Sequence, residues 1–298
     1  MPSDRATDEL GKFAHEPHPL PARLPFVMNL NSRISLLALA SLTPLLVGWA
    51  QDPADGPDPL AGLRDVFEAQ GIALELDQGR VSIPAEVAVT NDLLEYLLAG
   101  PQGAAHETLL LTDVDPEMLN AALLTLGAKP GTNADWAPMD PLPSQAEIDA
   151  GVLPYEVTLP EGDGFFLYVG WREGEETYLF RIEDLVRDRF RGRTLRRHAF
   201  IYLGSQMIER GENSPEVFAA AVNGNLINVS FFREGHTLLT TARPECVDQS
   251  AWLANAWLLP PRGSEVRLIF SKSRIPMGWD SPVGLPLVTA APDPGDGR

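Results

Sequence analysis

Several stretches between residues 72 and 270 place an apolar side chain at every second position, the period of a strand with one buried face. The clearest runs from Arg80 to Thr90, where Val81, Ile83, Ala85, Val87 and Val89 alternate with Ser82, Pro84, Glu86, Ala88 and Thr90. Ile72 to Leu76 lies ahead of it across the turn residues Asp77, Gln78 and Gly79, so the two segments read as a hairpin. Pro84 has no N–H to donate, which predicts an edge position or a bulge there. Leu93–Ala99 and Glu107–Asp113 read as further strands, and Ala61–Gln70 as a short helix.

One helix is marked at both ends. In DPEMLNAALLTLGAKPG, Asp115 is placed to cap, Pro116 suits the first helical position, Glu117 favours the positive helix start, and Gly127 fits a left-handed stop. Leu119, Ala122, Leu123 and Leu126 form its apolar stripe, which predicts a helix lying on a sheet. A Pro-rich bridge, Trp136 to Leu153, leads to a second strand-rich half: Tyr155–Leu159, Phe165–Trp171, Thr177–Ile182, Phe200–Gly204, Val217–Val222, Leu226–Phe232, Trp252–Leu258 and Val266–Phe270. Ile182–Phe190 reads as a short helix, and Asn223-Gly224 as the turn of a hairpin between Val217–Val222 and Leu226–Phe232. The expected fold is α+β: strand-rich mixed or antiparallel sheet, one well-marked helix at about 115–127 packed on it, and few other helices.

The N-terminal 50 residues follow another pattern. Met28–Ala50 has a short basic start, an apolar run from Ile34 to Leu46 and small residues at Gly48 and Ala50, which predicts a cleaved secretory signal peptide. The run is broken by Pro44 and falls short of the roughly twenty apolar residues of a spanning helix, so no membrane span is expected after its removal. Residues 1–27 then read as an extension ahead of the true start. Residues 51–66 read as a flexible acidic leader, 67–276 as the folded region with halves at about 67–133 and 153–276, and 280–298 as a disordered tail.

Charge narrows the partners. Beyond residue 50 the chain carries 19 basic and 37 acidic side chains, and its net charge of −18 makes nucleic acid an unfavourable partner. Cys246 is the single cysteine, so no internal disulfide forms, and no metal or cofactor is expected. His106, His198 and His236 lie far apart, with no H-E-x-x-H, G-x-S-x-G or phosphate-binding glycine loop.

Two groups of residues remain as candidates. His106 and Glu107 are an imidazole and a carboxylate side by side, with Glu95 on the neighbouring strand about 5 Å away in a paired sheet. On a strand His106 and Glu107 would face opposite sides, so His106 would need Glu95 as its partner, for a site or for a structural hydrogen bond. Arg187, Arg189, Arg191, Arg193, Arg196 and Arg197 crowd into eleven residues. They read either as a clamp for an anionic partner or as a solvated run balancing nearby acids such as Glu183 and Asp184. Ser205 reads as a turn serine and Cys246 as a buried thiol. Trp136, Trp171, Trp252 and Trp257 read as core, with a flat binding surface as the alternative.

HETLLLTDVDPEMLNAALLTLGAKPG, followed in order by AFIYLGSQM, FAAAVNGNLINVSFF and LLPPRGSEVRLIF, resembles the YdjY-domain family of exported bacterial proteins over roughly Gly71 to Ser271. The resemblance implies an envelope or secreted domain and supplies no catalytic residues. One relative is described as ferredoxin-like, but a chain with Cys246 alone cannot hold an iron–sulfur cluster. The expected function is therefore a non-enzymatic exported domain that binds a ligand or partner of the cell envelope. A hydrolase or metal-dependent enzyme around His106 and Glu95 is the alternative, and a redox protein the third reading.

Overall fold

The computed structural model of the chain describes residues 61–211, 214–276 and 285–288. The expected extension at 1–27, the signal peptide at 28–50, residues 51–60 of the leader and most of the 280–298 tail lie outside these residues. Within them the alternating pattern forms a closed barrel of eight strands. These are β1 (Arg80–Val87), β2 (Tyr96–Ala99), β3 (Thr108–Leu111), β4 (Gly164–Glu173), β5 (Phe200–Tyr202), β6 (Asn225–Asn228), β7 (Leu239–Thr240) and β8 (Glu265–Ser271).

Around the wall the order is β1-β8-β4-β5-β7-β6-β2-β3, and β3 returns to β1 through Glu86↔Leu111 and Val87↔Leu110. The pairs β7/β6 and β3/β2 are parallel and the others antiparallel. Because register partners point to the same face, Val81, Phe270, Leu167, Phe165, Phe200, Tyr202, Leu239, Ile227, Leu98 and Leu110 form one continuous, fully buried interior. An eight-stranded barrel is just wide enough to be filled by such side chains. Phe165 sits among them with its ring edge-on to Tyr202 (6.2 Å) and Phe270 (6.4 Å).

The α+β expectation is thereby overturned: the described residues are strand-dominated, and the four helices among them are short. A sheet that closes on itself buries its inner face among its own side chains, so it needs no helix layer to cover that face. The helix signalled by Asp115 does form, as Pro116–Thr125, with the Asp115 carboxylate accepting from the N–H groups of Glu117 (2.8 Å) and Met118 (3.1 Å). It sits at one rim of the barrel, where β8 ends, β5 ends and β4 begins. Asn120 accepts from the Tyr202 hydroxyl, the Leu126 carbonyl accepts from Lys272 (3.0 Å), and the Lys129 N–H donates to Asp163 (2.9 Å). Leu119, Ala122 and Leu123 close the core there.

Two local readings are also corrected. Residues 219–223 are a short helix instead of a strand, because the Ala219-Ala220-Ala221 run favours helix and Gly224, at φ +71°, ends it with its N–H on the Ala220 carbonyl. Gly224 also lies backbone to backbone with Gly103, where a Cβ would come within 2.3 Å of the Gly103 nitrogen. Ile182–Leu185 is a 3-10 turn leading into the strand Val186–Asp188, which pairs with Trp252–Ala254 and Arg193–Thr194 in a small second sheet. Pro84 stands where the edge expectation places it: Ala73–Glu75 pairs with β1 up to Ser82, β3 takes over at Glu86, and the gap lies between. The Pro84 carbonyl accepts instead from the Thr112 hydroxyl (2.7 Å). The bridge forms an arm in which Asp135–Pro138 pairs with Tyr155–Thr158 and Ser144 caps the helix Gln145–Asp149. Leu285 and Val288 are buried beside Arg172.

Candidate functional site

The arginine run turns back on itself at the edge of the small sheet. Asp188, fully buried, accepts from the N–H groups of Phe190 and Arg191 (3.0 Å each) through one oxygen and from the Arg191 guanidinium (2.9 Å) through the other. That Asx turn reverses the chain and points Arg191 and Arg193 to the same side. Arg196 makes a two-pronged pair with Glu245 (2.7 and 2.5 Å), carried on the 3-10 turn Pro244–Val247, and Arg193 lies 3.9 Å from the same carboxylate. Burial works against the Glu245 carboxylate, but the Arg196 hydrogen bonds and charge outweigh it and hold its pKa below the ordinary value.

Arg191, Arg193 and Arg196 thus line one open cleft of about 430 Å³ with Tyr155, Leu153 and Pro244. Three guanidinium groups meet two carboxylates, Asp188 and Glu245, and the balance is positive. Arg243 stands behind them, donating to the carbonyls of Arg196 (3.3 Å) and Arg197 (2.5 Å). Guanidinium groups held in place by acids keep further N–H donors for a planar anionic group at little conformational cost.

The other three arginines of the run face elsewhere. Arg197 makes a two-pronged pair with Asp184, Arg189 lies over the Phe190 ring at 5.2 Å, and Arg187 is half-buried with a buried Nε that has no hydrogen-bond partner. The sequence reading missed Glu245 and Tyr155, which reach the cleft from distant parts of the chain, and Arg243, which braces it from behind. Asp188 was legible, three residues before Arg191 inside the run.

Glu95, His106 and Glu107 are neighbours, arranged differently from the expected cross-strand pair. Residues 105–107 form a 3-10 turn instead of a strand start, and His106, its side chain 82 % exposed, has Nε2 3.8 Å from the Glu107 carboxylate. The close pair is Glu95 with Glu107: the backbone N–H of Glu95 donates to the Glu107 carbonyl (3.0 Å). Burial first, then the charge and hydrogen-bonding influence of the Glu107 carboxylate, raise the Glu95 pKa.

Among the described residues, the three histidines occupy separate settings. His236 is bonded to Asn223 (2.8 Å), His106 faces solvent, and His198 is buried, with Nδ1 on the Arg196 carbonyl (2.9 Å) and Nε2 on the Thr241 hydroxyl (3.0 Å). Cys246 lies 3.2 Å from the same Thr241 hydroxyl, and burial pushes its thiol pKa up. Among the described residues no group of three or more His, Cys, Asp or Glu is placed to hold a metal ion, and no helix is long and apolar enough to cross a membrane. Trp171 and Trp252 are core, whereas Trp257 is 87 % exposed.

Burial also pushes the His198 imidazole down to about 4. In the unfolded chain that ring takes up its proton near pH 6.5, so between pH 6.5 and 4 the unfolded state binds more protons and stability falls on acidification, by about 3 kcal/mol over the whole window. Denaturant unfolding of the parent and of His198→Asn from pH 7 to pH 4 checks this. The expected acid loss is larger in the parent by that amount, and parallel profiles would contradict it.

A family model described as the YdjY domain matches residues 72–271. No curated protein and no solved structure matches the chain.

Proposed function

The chain belongs to the YdjY domain family, and from that premise we propose that it is an exported binding domain of the cell envelope that takes an anionic partner in the arginine cleft. The compartment rests on the Met28–Ala50 export pattern. The binding reading rests on one observation: Arg191, Arg193 and Arg196 converge on an open cleft, already oriented by Asp188 and Glu245, in a chain whose net charge is −18. A local positive field on such an acidic chain selects partners with phosphate or carboxylate groups.

The test is titration of the exported, purified protein with inorganic polyphosphate in low salt. Arg193→Gln removes the guanidinium least engaged with the fold, its side chain 46 % exposed. It is expected to weaken binding about tenfold or more, the worth of one charged hydrogen bond. Arg191→Gln combined with Arg193→Gln is expected to weaken it further and to flatten the salt dependence. Unchanged affinity in both variants, or no binding by the parent, overturns the reading.

A further inference from the structure

A second cavity, of about 210 Å³, lies beside β2 and β6. One wall is the Tyr96 ring stacked on Phe232, with centroids 5.0 Å apart and planes within 7°. Asn223, Asn225, Glu234, Gly235, His236 and Thr237 complete the lining, and no Lys or Arg takes part in it. Asn225 Oδ1 is occupied by the Ala104 N–H (2.9 Å), so what its amide offers the cavity is its NH2 group, a donor. Asn223 Nδ2 donates to His236 Nδ1 (2.8 Å), leaving the ring proton on Nε2.

The loop that carries Phe232, Glu234 and His236 is held from outside by side chains of other segments. Asn133 donates to the Phe232 carbonyl (2.7 Å), Gln206 to that of Glu234 (2.6 Å) and Ser205 to that of His236 (2.7 Å), while Thr237 donates to the buried Asn228 (3.1 Å). Ser205 does this at φ +58°, a left-handed conformation that is strained for a residue with a Cβ, and its hydroxyl also accepts from the Ala220 N–H (3.1 Å). A strained residue and three clamped carbonyls fix a loop whose side chains line a cavity, the arrangement of a site built in advance of its ligand.

The field in the cavity is negative. Glu234 lines it, and Glu95 and Glu107 stand close enough that, after burial, all three carboxylates help push the Tyr96 hydroxyl up to about 12. Carboxylates beside aromatic faces attract organic cations. A volume below the roughly 300–1,000 Å³ of drug-sized pockets limits the occupant to a headgroup. We infer that the Tyr96–Phe232–Glu234 cavity is a binding site for a small organic ammonium ion.

Calorimetric titration of the full chain with choline, and with its uncharged isostere 3,3-dimethyl-1-butanol, tests this independently of the arginine cleft. Choline is expected to bind and the alcohol not. Glu234→Gln, an exposed loop substitution, is expected to weaken choline at least tenfold, Ser205→Gly to weaken it by releasing the loop, and Arg193→Gln to leave it unchanged. Competition by phosphatidylcholine vesicles would assign the ammonium to a lipid headgroup, and absence of competition to a free solute. Equal binding of the alcohol, an unchanged Glu234→Gln affinity, or no binding of choline overturns the inference.

Discussion

Glu183→Gln is expected to lower the unfolding free energy by about 3–5 kcal/mol, the loss that follows when one half of a buried ion pair is removed. Glu183 is fully buried, and its carboxylate accepts from Arg181 Nε (3.0 Å), Arg181 Nη2 and the His198 N–H (2.8 Å). Burial raises its pKa and the Arg181 charge opposes that rise, with burial the larger influence. With Gln in place, the Arg181 guanidinium keeps the His198 carbonyl and the faces of Phe166 (5.1 Å) and Tyr168 (5.3 Å), but no charge to balance its own. The companion double variant, Arg181→Met with Glu183→Leu, is expected to lose much less than the sum of the single changes, because it leaves no unpaired charge behind. Urea unfolding of the single and double variants decides this. A loss under about 1 kcal/mol for Glu183→Gln would mean that water reaches the pair.

Phe165→Ala is expected to cost a similar amount, about 3–5 kcal/mol, for another reason. Its ring lies inside the barrel, edge-on to Tyr202 and Phe270, on a strand whose backbone is pinned by β8 and β5. A wall closed by hydrogen bonds on every side cannot draw in to fill the space, so the cavity remains. Phe165→Leu, which keeps most of the volume, is expected to cost under about 1.5 kcal/mol. The larger change should also reach the rim helix, since Tyr202 holds Asn120 through its hydroxyl. Hydrogen exchange in Pro116–Thr125 is expected to quicken in Phe165→Ala and to stay as in the parent in Phe165→Leu. A loss below about 1.5 kcal/mol for Phe165→Ala would show that the wall does adapt.

The strands were legible where one side chain in two had to be buried. Val81, Ile83, Ala85 and Val87 announce β1, and the Gly79 turn announces its hairpin with Ala73–Glu75. The closure was not legible, because it depends on Glu86 meeting Leu111 and on strands as short as Phe200–Tyr202 and Leu239–Thr240, too brief to show any period. Asn223-Gly224 misled because the same dipeptide that turns a hairpin also ends a helix, and only the alanines before it distinguish the two. The Arg191–Arg193 half of the cleft could be read from composition. Glu245, 49 residues beyond Arg196, could not. The Tyr96 cavity was not legible either, since Tyr96 stands more than a hundred residues before the 223–237 stretch that supplies the rest of the lining.

The seam of the barrel sets the order in which the molecule can be completed. β8, Glu265–Ser271, runs between β1 and β4, so one edge of each stays open until the final strand arrives. A growing chain therefore carries the Arg80–Val87 edge through the synthesis of nearly the whole domain before its partner exists. Pairing across such a separation closes a long loop and is slow, so the unfinished chain stays open to chaperones for that interval. Truncation before Glu265 would leave both edges permanently free, the geometry that invites strand-to-strand aggregation.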